Sequence, residues 1–210
     1  EALLVQRSFE NMAALVQQAR GADAGIAVLR RAIEQTADDH FRGRAQFRIA
    51  TTLYAEGRYE EALEDLEVYR RAYGHIALQI GAPLDRVSFL MGEAQRLSGD
   101  RRRTRGEDGS PDYEAALGHY RIALSTAPSD ERRAETRYGL GLSHWGTGAA
   151  DSALANLALA VSTCPSAAVA PFALSWEGRL LAAGQRYPEA AVAYRRLMAE
   201  DPQSNLVDQA

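Results

Sequence analysis

The stretch RIATTLYAEGRYEEALEDLEVY (48–69) has the pattern of two helices joined by a tight turn. Apolar residues recur three and four positions apart on both sides of Gly57, which is the helical period. The small residues Ala50 and Ala62 lie twelve positions apart across the turn, and the large Leu66 follows four positions later. Antiparallel helices approach closely only where small side chains face each other, and large side chains fill the space beside that contact. The stretch therefore predicts a helix hairpin.

The same pattern returns in YGLGLSHWGTGAADSALANLALAVSTCP (138–165) and in WEGRLLAAGQRYPEAAVAYRRLMAEDP (176–202). Aligning the small and large positions along the whole chain gives five units, at 6–39, 43–76, 85–130, 134–167 and 171–204. Strand-like alternation of polar and apolar residues is absent. The sequence therefore predicts an all-α fold of about five stacked helix pairs in a single domain over residues 1–210.

Glycines mark the predicted turns between paired helices. Gly57, Gly99 and Gly148 occupy these positions, where a glycine can take a positive φ at low cost. The first unit is the weakest match, because Arg20 stands where the others have the turn glycine and Ala37 stands where later units have a terminal proline.

The quoted stretches resemble the tetratricopeptide repeat family, and the resemblance covers almost the whole chain. It implies a right-handed α-solenoid whose first helices line a concave groove. Units begin 37 residues apart, at 6 and 43 and again at 134 and 171. This spacing loosely resembles the repeats of bacterial cell-envelope proteins, of the outer-membrane assembly lipoprotein and Tol-Pal accessory type. A periplasmic or envelope location is therefore slightly favoured over a cytoplasmic one.

The third unit carries a charged insertion, RRRTRGEDGSPD (101–112), between its two helices. Glycine, serine, proline and dense charge predict a solvated, mobile loop. The apolar segment IALQIGAP (77–84) links the second and third units, and its composition predicts that it docks against the helices.

The composition argues against several classes of function. The 210 residues are 46% apolar and 25% charged, with a net charge of −4, and a nucleic-acid binder usually carries a basic surplus. No apolar run is long enough to span a membrane. The single Cys164 excludes an internal disulfide, and the four histidines form no metal-binding or catalytic motif. We therefore expect no enzyme activity, no cofactor and no metal site, and we expect His144 to be a packing residue.

The family resemblance implies a partner-binding groove on the first helices. Carried over position by position, the groove residues are Arg44, Phe47, Thr51, Tyr54, Arg86, Phe89, Arg96, Tyr138, Trp145, Trp176 and Arg179. Aromatic and arginine side chains are the types enriched at binding hot spots. The alternative is that these side chains fill a narrow groove among themselves. Glu93 and Glu135 dilute the preference for an acidic partner that the arginines would give.

The sequence thus predicts a non-enzymatic scaffold that binds a protein or peptide partner, in a bacterial envelope complex. Two alternatives stay open: a cytoplasmic regulatory module of a larger protein, and an enzyme or RNA-binding helical repeat. Solenoids usually need a polar cap over the last repeat. Only NLVDQA follows the fifth unit, whose second helix carries Val192, Tyr194 and Leu197. Self-association through the C-terminal repeat is therefore a further possibility.

Overall fold

The computed structural model describes the backbone of residues 2–200 and the side chains of residues 9–200. Ten α-helices and one short 3-10 helix account for the regular structure of this range, which contains no strand. The α-helices are α1 (Ala2–Arg20), α2 (Ala22–Gln35), α3 (Asp39–Ala55), α4 (Tyr59–Tyr73), α5 (Leu84–Thr104), α6 (Ser110–Thr126), α7 (Asp130–Gly146), α8 (Ala150–Thr163), α9 (Ala170–Ala183) and α10 (Tyr187–Glu200). The predicted all-α fold of helix hairpins is confirmed.

The chain divides into two compact units, residues 1–98 and residues 99–210, with the division falling inside α5. In each unit, consecutive helices pack as antiparallel hairpins that stack on one another, α1 to α4 in the first and α6 to α10 in the second. The single domain over residues 1–210 stays a prediction.

The core of unit 1 follows the predicted small-and-large pattern. Ala50 and Ala62 are fully buried where α3 and α4 meet, and Leu66 packs beside them. The linker after α4 docks as predicted, since Ile80 and Ala82 are buried in the same core. The hydroxyl of Tyr69 donates a hydrogen bond to the carbonyl of Ala82 at 2.7 Å, which fixes the linker to α4.

The core of unit 2 repeats this arrangement in α8, α9 and α10. Ala153, Leu157, Leu174 and Leu197 are buried together, the first two on α8 and the others on α9 and α10. Leu197 is therefore part of the fold and is not available to a second copy of the chain. Of the three α10 residues considered for self-association, Val192 is the most exposed, and the tail 205–210 lies outside the described residues. Self-association stays a prediction.

The prediction of a mobile loop over residues 101–112 is wrong. Helix α5 continues to Thr104 and α6 begins at Ser110, so only residues 105–109 form the turn. Arginine is a good helix former, and its charge does not by itself indicate a loop. The insertion lengthens both helices of this hairpin instead.

Long-range contacts hold the extended end of α5 within unit 2. The guanidinium of Arg103 lies 5.0 Å from the ring centroid of Tyr113 and donates a hydrogen bond to the carbonyl of Gly146 at 2.5 Å. Arg102 pairs with Asp112 across the hairpin at 3.1 Å. These partners on α6 and α7 explain why the charged run is ordered as a helix.

The turn glycines are partly as predicted. Gly57 and Gly148 have φ values of 72° and 79°, which confirms their turn positions. Gly99 instead lies inside α5, where a side chain would meet the ring of Tyr113, and Gly106 takes the positive φ of 77°. In the first hairpin Gly21, one residue after Arg20, takes a φ of 90°.

Candidate partner-binding site

The predicted groove residues of α3 lie along one side of unit 1 and are all half-buried. The ring centroids of Phe47 and Tyr69 are 5.5 Å apart, and those of Tyr54 and Tyr59 are 5.8 Å apart. Arg44 pairs with Glu10 of α1 at 3.2 Å. The Thr51 hydroxyl donates to the carbonyl of Arg48 in its own helix. Much of this side is therefore already engaged within the fold.

The α5 residues Arg86, Glu93 and Arg96 place charged groups close enough to Tyr54 of α3 to affect its pKa. The guanidinium of Arg86 lies 5.6 Å from the ring centroid of Phe89, and Arg96 pairs with Glu93 at 2.9 Å. Burial and, to a smaller extent, the negative charge of Glu93 raise the pKa of the Tyr54 phenol to about 12. Tyr54 therefore stays protonated at physiological pH and can donate a hydrogen bond to a partner.

The predicted residues of unit 2 differ in exposure. Tyr138 and Trp176 pack against the buried core formed by α8, α9 and α10. The guanidinium of Arg179 lies 4.6 Å from the ring centroid of Trp176, so one face of the indole is covered by a cation. Trp145, at the end of α7, is 36% exposed and is the most exposed aromatic residue of the predicted set.

The predicted side chains differ in how far they pack within their own unit. Phe47, Tyr138 and Trp176 contribute to packing, whereas Trp145 keeps a large exposed surface. On α7, Arg132 pairs with Glu135 at 3.1 Å. Glu93 and Glu135, the two carboxylates expected to weaken a preference for an acidic partner, thus each pair with a neighbouring arginine.

The comparisons with known proteins identify the fold. Residues 44–75 match the sequence model of the Tetratricopeptide repeat family. MamA from Desulfovibrio magneticus RS-1 superposes with a TM-score of 0.70 at 14% identity, covering 95% of this chain and 97% of that one. This chain has the TPR fold.

Two further solved structures are similar. The TPR protein TTC0263 of Thermus thermophilus matches with a TM-score of 0.60 at 20% identity, covering 97% of this chain and 96% of that one. YrrB, described as a TPR protein with an unusual peptide-binding site, matches with a TM-score of 0.62 at 16% identity, covering 96% and 89%. A sequence comparison with curated proteins finds no significant match. At these identities the likeness concerns the TPR fold alone.

The remaining predictions concern His144, metal sites and membrane-spanning helices. Burial lowers the pKa of His144, and the positive charge of Arg121 lowers it further, so the imidazole stays neutral as a packing residue would. Within residues 9–200, no group of three or more histidine, cysteine, aspartate or glutamate side chains could hold a metal ion. None of the described helices is long and apolar enough to cross a membrane.

Sequence reasoning missed one unusual side chain, Glu177 of α9. In the other four repeats the equivalent positions are the apolar residues Met12, Ile49, Met91 and Leu140, of which the last three are buried and Met12 is 43% exposed. Burial raises the pKa of the Glu177 carboxyl, although the positive charge of Arg196 opposes the shift. A search for catalytic motifs cannot detect a lone acid, but a comparison of equivalent positions would have found it.

Proposed function

We propose that this protein is a non-enzymatic scaffold that binds an extended or helical segment of a partner protein. In each unit, the proposed contact surface is the side of the first helices that carries the aromatic and arginine residues predicted above. Stacked TPR hairpins supply rigid helices for such a surface, and a rigid surface loses little conformational entropy on binding.

One observation carries the proposal, the 36% exposure of Trp145 on α7. Trp145 and Tyr138 are seven residues apart on α7, so two helical turns bring them to the same face. Tryptophan is costly to leave exposed and is strongly enriched among residues that dominate binding energy. The peptide-binding site described for YrrB supports the same class of partner.

The biological setting we propose is a bacterial envelope complex. The 37-residue spacing of the repeats supports it, through its resemblance to envelope repeat proteins. Fractionation of cells that express the native gene tests the setting. Recovery with the periplasm or membranes supports it, whereas recovery with the cytosol favours the regulatory module.

The test of the scaffold is Trp145→Ala, compared with Tyr187→Ala as a matched control. Tyr187 is 64% exposed, lies on α10, the second helix of its hairpin, and is not one of the predicted groove residues. A partner captured from lysate is purified and its Kd is measured against each variant. We expect Trp145→Ala to weaken binding by roughly 2 kcal/mol, or about 30-fold, and Tyr187→Ala to leave it unchanged. Equal affinities for wild type and Trp145→Ala would exclude this surface as the partner site.

A further inference from the structure

A cleft of about 400 Å³ opens in unit 2 between α8, α9 and α10. Its volume lies within the range of small-ligand pockets and is ample for one long side chain. Leu154, Leu181 and Val192 give it apolar walls, one from each helix. This cleft is separate from the first-helix residues of the proposed partner site, none of which lines it.

The carboxyl group of Glu177 lines this cleft, and it is incompletely satisfied. Its Oε2 atom is buried, and no donor of the described residues forms a hydrogen bond with it. A buried carboxylate oxygen without a partner is costly, because its desolvation is not repaid by a hydrogen bond. Rotation about the terminal torsion of a glutamate is broad and roughly two-fold, so either oxygen can meet a donor that enters the cleft.

The two arginines at the cleft have other carboxylates as partners. Arg186 pairs with Glu189 at 2.8 Å, and Arg196 lies 3.7 Å from Glu200. Neither therefore serves Glu177 as a hydrogen-bonded counter-ion. The side of the cleft formed by α8 brings no compensating charge, since it consists of Leu154, Ala155 and Ala158.

Packing of the repeat does not explain the acid. At the equivalent position of the preceding repeat, Leu140 is buried without any polar partner to satisfy. A leucine at residue 177 would thus pack in its hairpin as Leu140 packs in the preceding one. The carboxylate instead adds a desolvation penalty that packing of the hairpin does not require. Perturbed acids in clefts are candidates for functional groups.

We propose that the α8–α9–α10 cleft binds a basic side chain, lysine or arginine, of a partner polypeptide. The cation meets the carboxylate of Glu177 in a charge-assisted hydrogen bond, and the alkyl stem packs against Leu181 and Val192. This assignment is independent of the first-helix surface, so the failure of either leaves the other standing.

The test is an NMR titration of the full 210-residue chain with three peptides, acetyl-Ala-X-Ala-amide in which X is lysine, arginine or norleucine. Norleucine keeps the alkyl stem and lacks the cation. We expect saturable shifts in the backbone amides around Leu154, Glu177 and Val192. The basic peptides should bind roughly tenfold or more tightly than the norleucine peptide, as a charge-assisted hydrogen bond provides.

Variants assign the effect to the carboxylate. Glu177→Gln keeps the size of the side chain and should lose about tenfold in affinity for the basic peptides, as should Glu177→Leu. Glu114→Gln makes the same charge change at an exposed position of α6, outside the cleft, and should bind like wild type. Circular dichroism shows whether each variant is folded.

Three results would overturn the proposal. They are the absence of saturable shifts, equal affinity for the norleucine and basic peptides, and wild-type affinity in a folded Glu177→Gln variant. n-Butylammonium tests the assigned occupant, because affinity equal to that of the lysine peptide would assign the cleft to free amines instead of polypeptide side chains. Weaker binding of n-butylammonium supports the polypeptide.

Discussion

Gly141 of α7 lies against Leu157 of α8 so closely that a Cβ atom on Gly141 would come within 2.8 Å of the Leu157 Cγ atom. Leu157 is fully buried, so it has no free space into which to move. The sequence pattern predicts that Gly141 faces the small Ala153 and that the large Leu157 fills the space beside this contact, and the Ala153 carbonyl also lies within 3.3 Å of the added Cβ. We therefore expect Gly141→Leu to destabilise the protein by about 1–3 kcal/mol through overpacking.

Gly118→Leu provides the matched control for this prediction. Gly118 is an exposed glycine of α6, and no described atom outside its own helical turn lies within 4 Å of a Cβ at this position. Leucine has the higher helix propensity, so Gly118→Leu should raise stability by roughly 0.5–1 kcal/mol. Urea denaturation of both variants measures the difference, and an unchanged midpoint for Gly141→Leu would contradict the packing register.

The hairpins could be predicted from the sequence because their pattern is local and repeated. Ala50, Ala62 and Leu66 are fixed by spacing along a single stretch, and the structure buries all three. The helical insertion could not be predicted in this way. Arg103 donates to the carbonyl of Gly146, which lies 43 positions further along the chain, and no local pattern indicates such a partner.

The candidate site was predictable only in part. Family positions indicate which residues lie on the first helices, but they do not show which of them pack inward. Phe47 and Trp145 are both bulky residues of the predicted stripe, yet Phe47 joins a core and Trp145 stays exposed. Glu177 was missed because it belongs to no motif, although its apolar equivalents were visible in the sequence.

Gln185 is a residue whose substitution should stabilise the fold. Its φ is 60°, and it occupies the turn position at which the second and fourth repeats have Gly57 and Gly148. The three turns share one hydrogen bond. The amide of Arg186 donates to the carbonyl of Leu181 at 2.8 Å, and the amides that follow Gly57 and Gly148 donate in the same way to the carbonyls of Leu53 and His144. The left-handed conformation costs a residue with a Cβ atom roughly 1–2 kcal/mol.

We therefore expect Gln185→Gly to raise stability by roughly 0.5–1 kcal/mol, after the greater unfolded-state entropy of glycine is subtracted. The reciprocal change, Gly148→Gln, should lower stability by a similar amount. No described atom beyond its neighbours lies within 4 Å of a Cβ at Gly148, so its effect is conformational. Thermal unfolding measures both, and a loss of stability in Gln185→Gly would show that the glutamine side chain stabilises the turn.

Arg103 should contribute to stability although it belongs to a charged, exposed run. Removal of its side chain in Arg103→Ala breaks the hydrogen bond to the Gly146 carbonyl and the contact with the Tyr113 ring. We expect a loss of about 1–2 kcal/mol. Arg105→Ala, in the adjoining turn, is the matched control and should be nearly neutral. Equal midpoints in urea for the two variants would show that the contacts of Arg103 add nothing to stability.

Glu177 should give the stability of the protein a specific dependence on pH. Its pKa lies above the ordinary value of 4.5 in the folded chain, so as pH rises the unfolded chain loses this proton first. Ionisation then favours unfolding, and the penalty grows from about pH 4.5 until the folded carboxyl has also ionised. Arg196, which faces it from α10, reduces this shift but does not reverse it.

Glu177→Gln cannot ionise, so its stability relative to wild type isolates this penalty. We expect the stability of the variant to rise relative to that of wild type between about pH 4 and pH 7, because the wild-type carboxyl is largely protonated in both the folded and the unfolded chain below about pH 4. Urea denaturation at a series of pH values measures the difference, and Glu114→Gln, at an exposed position, should show no such trend. A difference between wild type and Glu177→Gln that is constant from pH 4 to pH 7 would mean that the carboxyl titrates normally in the fold. The cleft would then have to solvate the charge, because an ionised carboxylate keeps its ordinary pKa only where water or a donor replaces what burial removes.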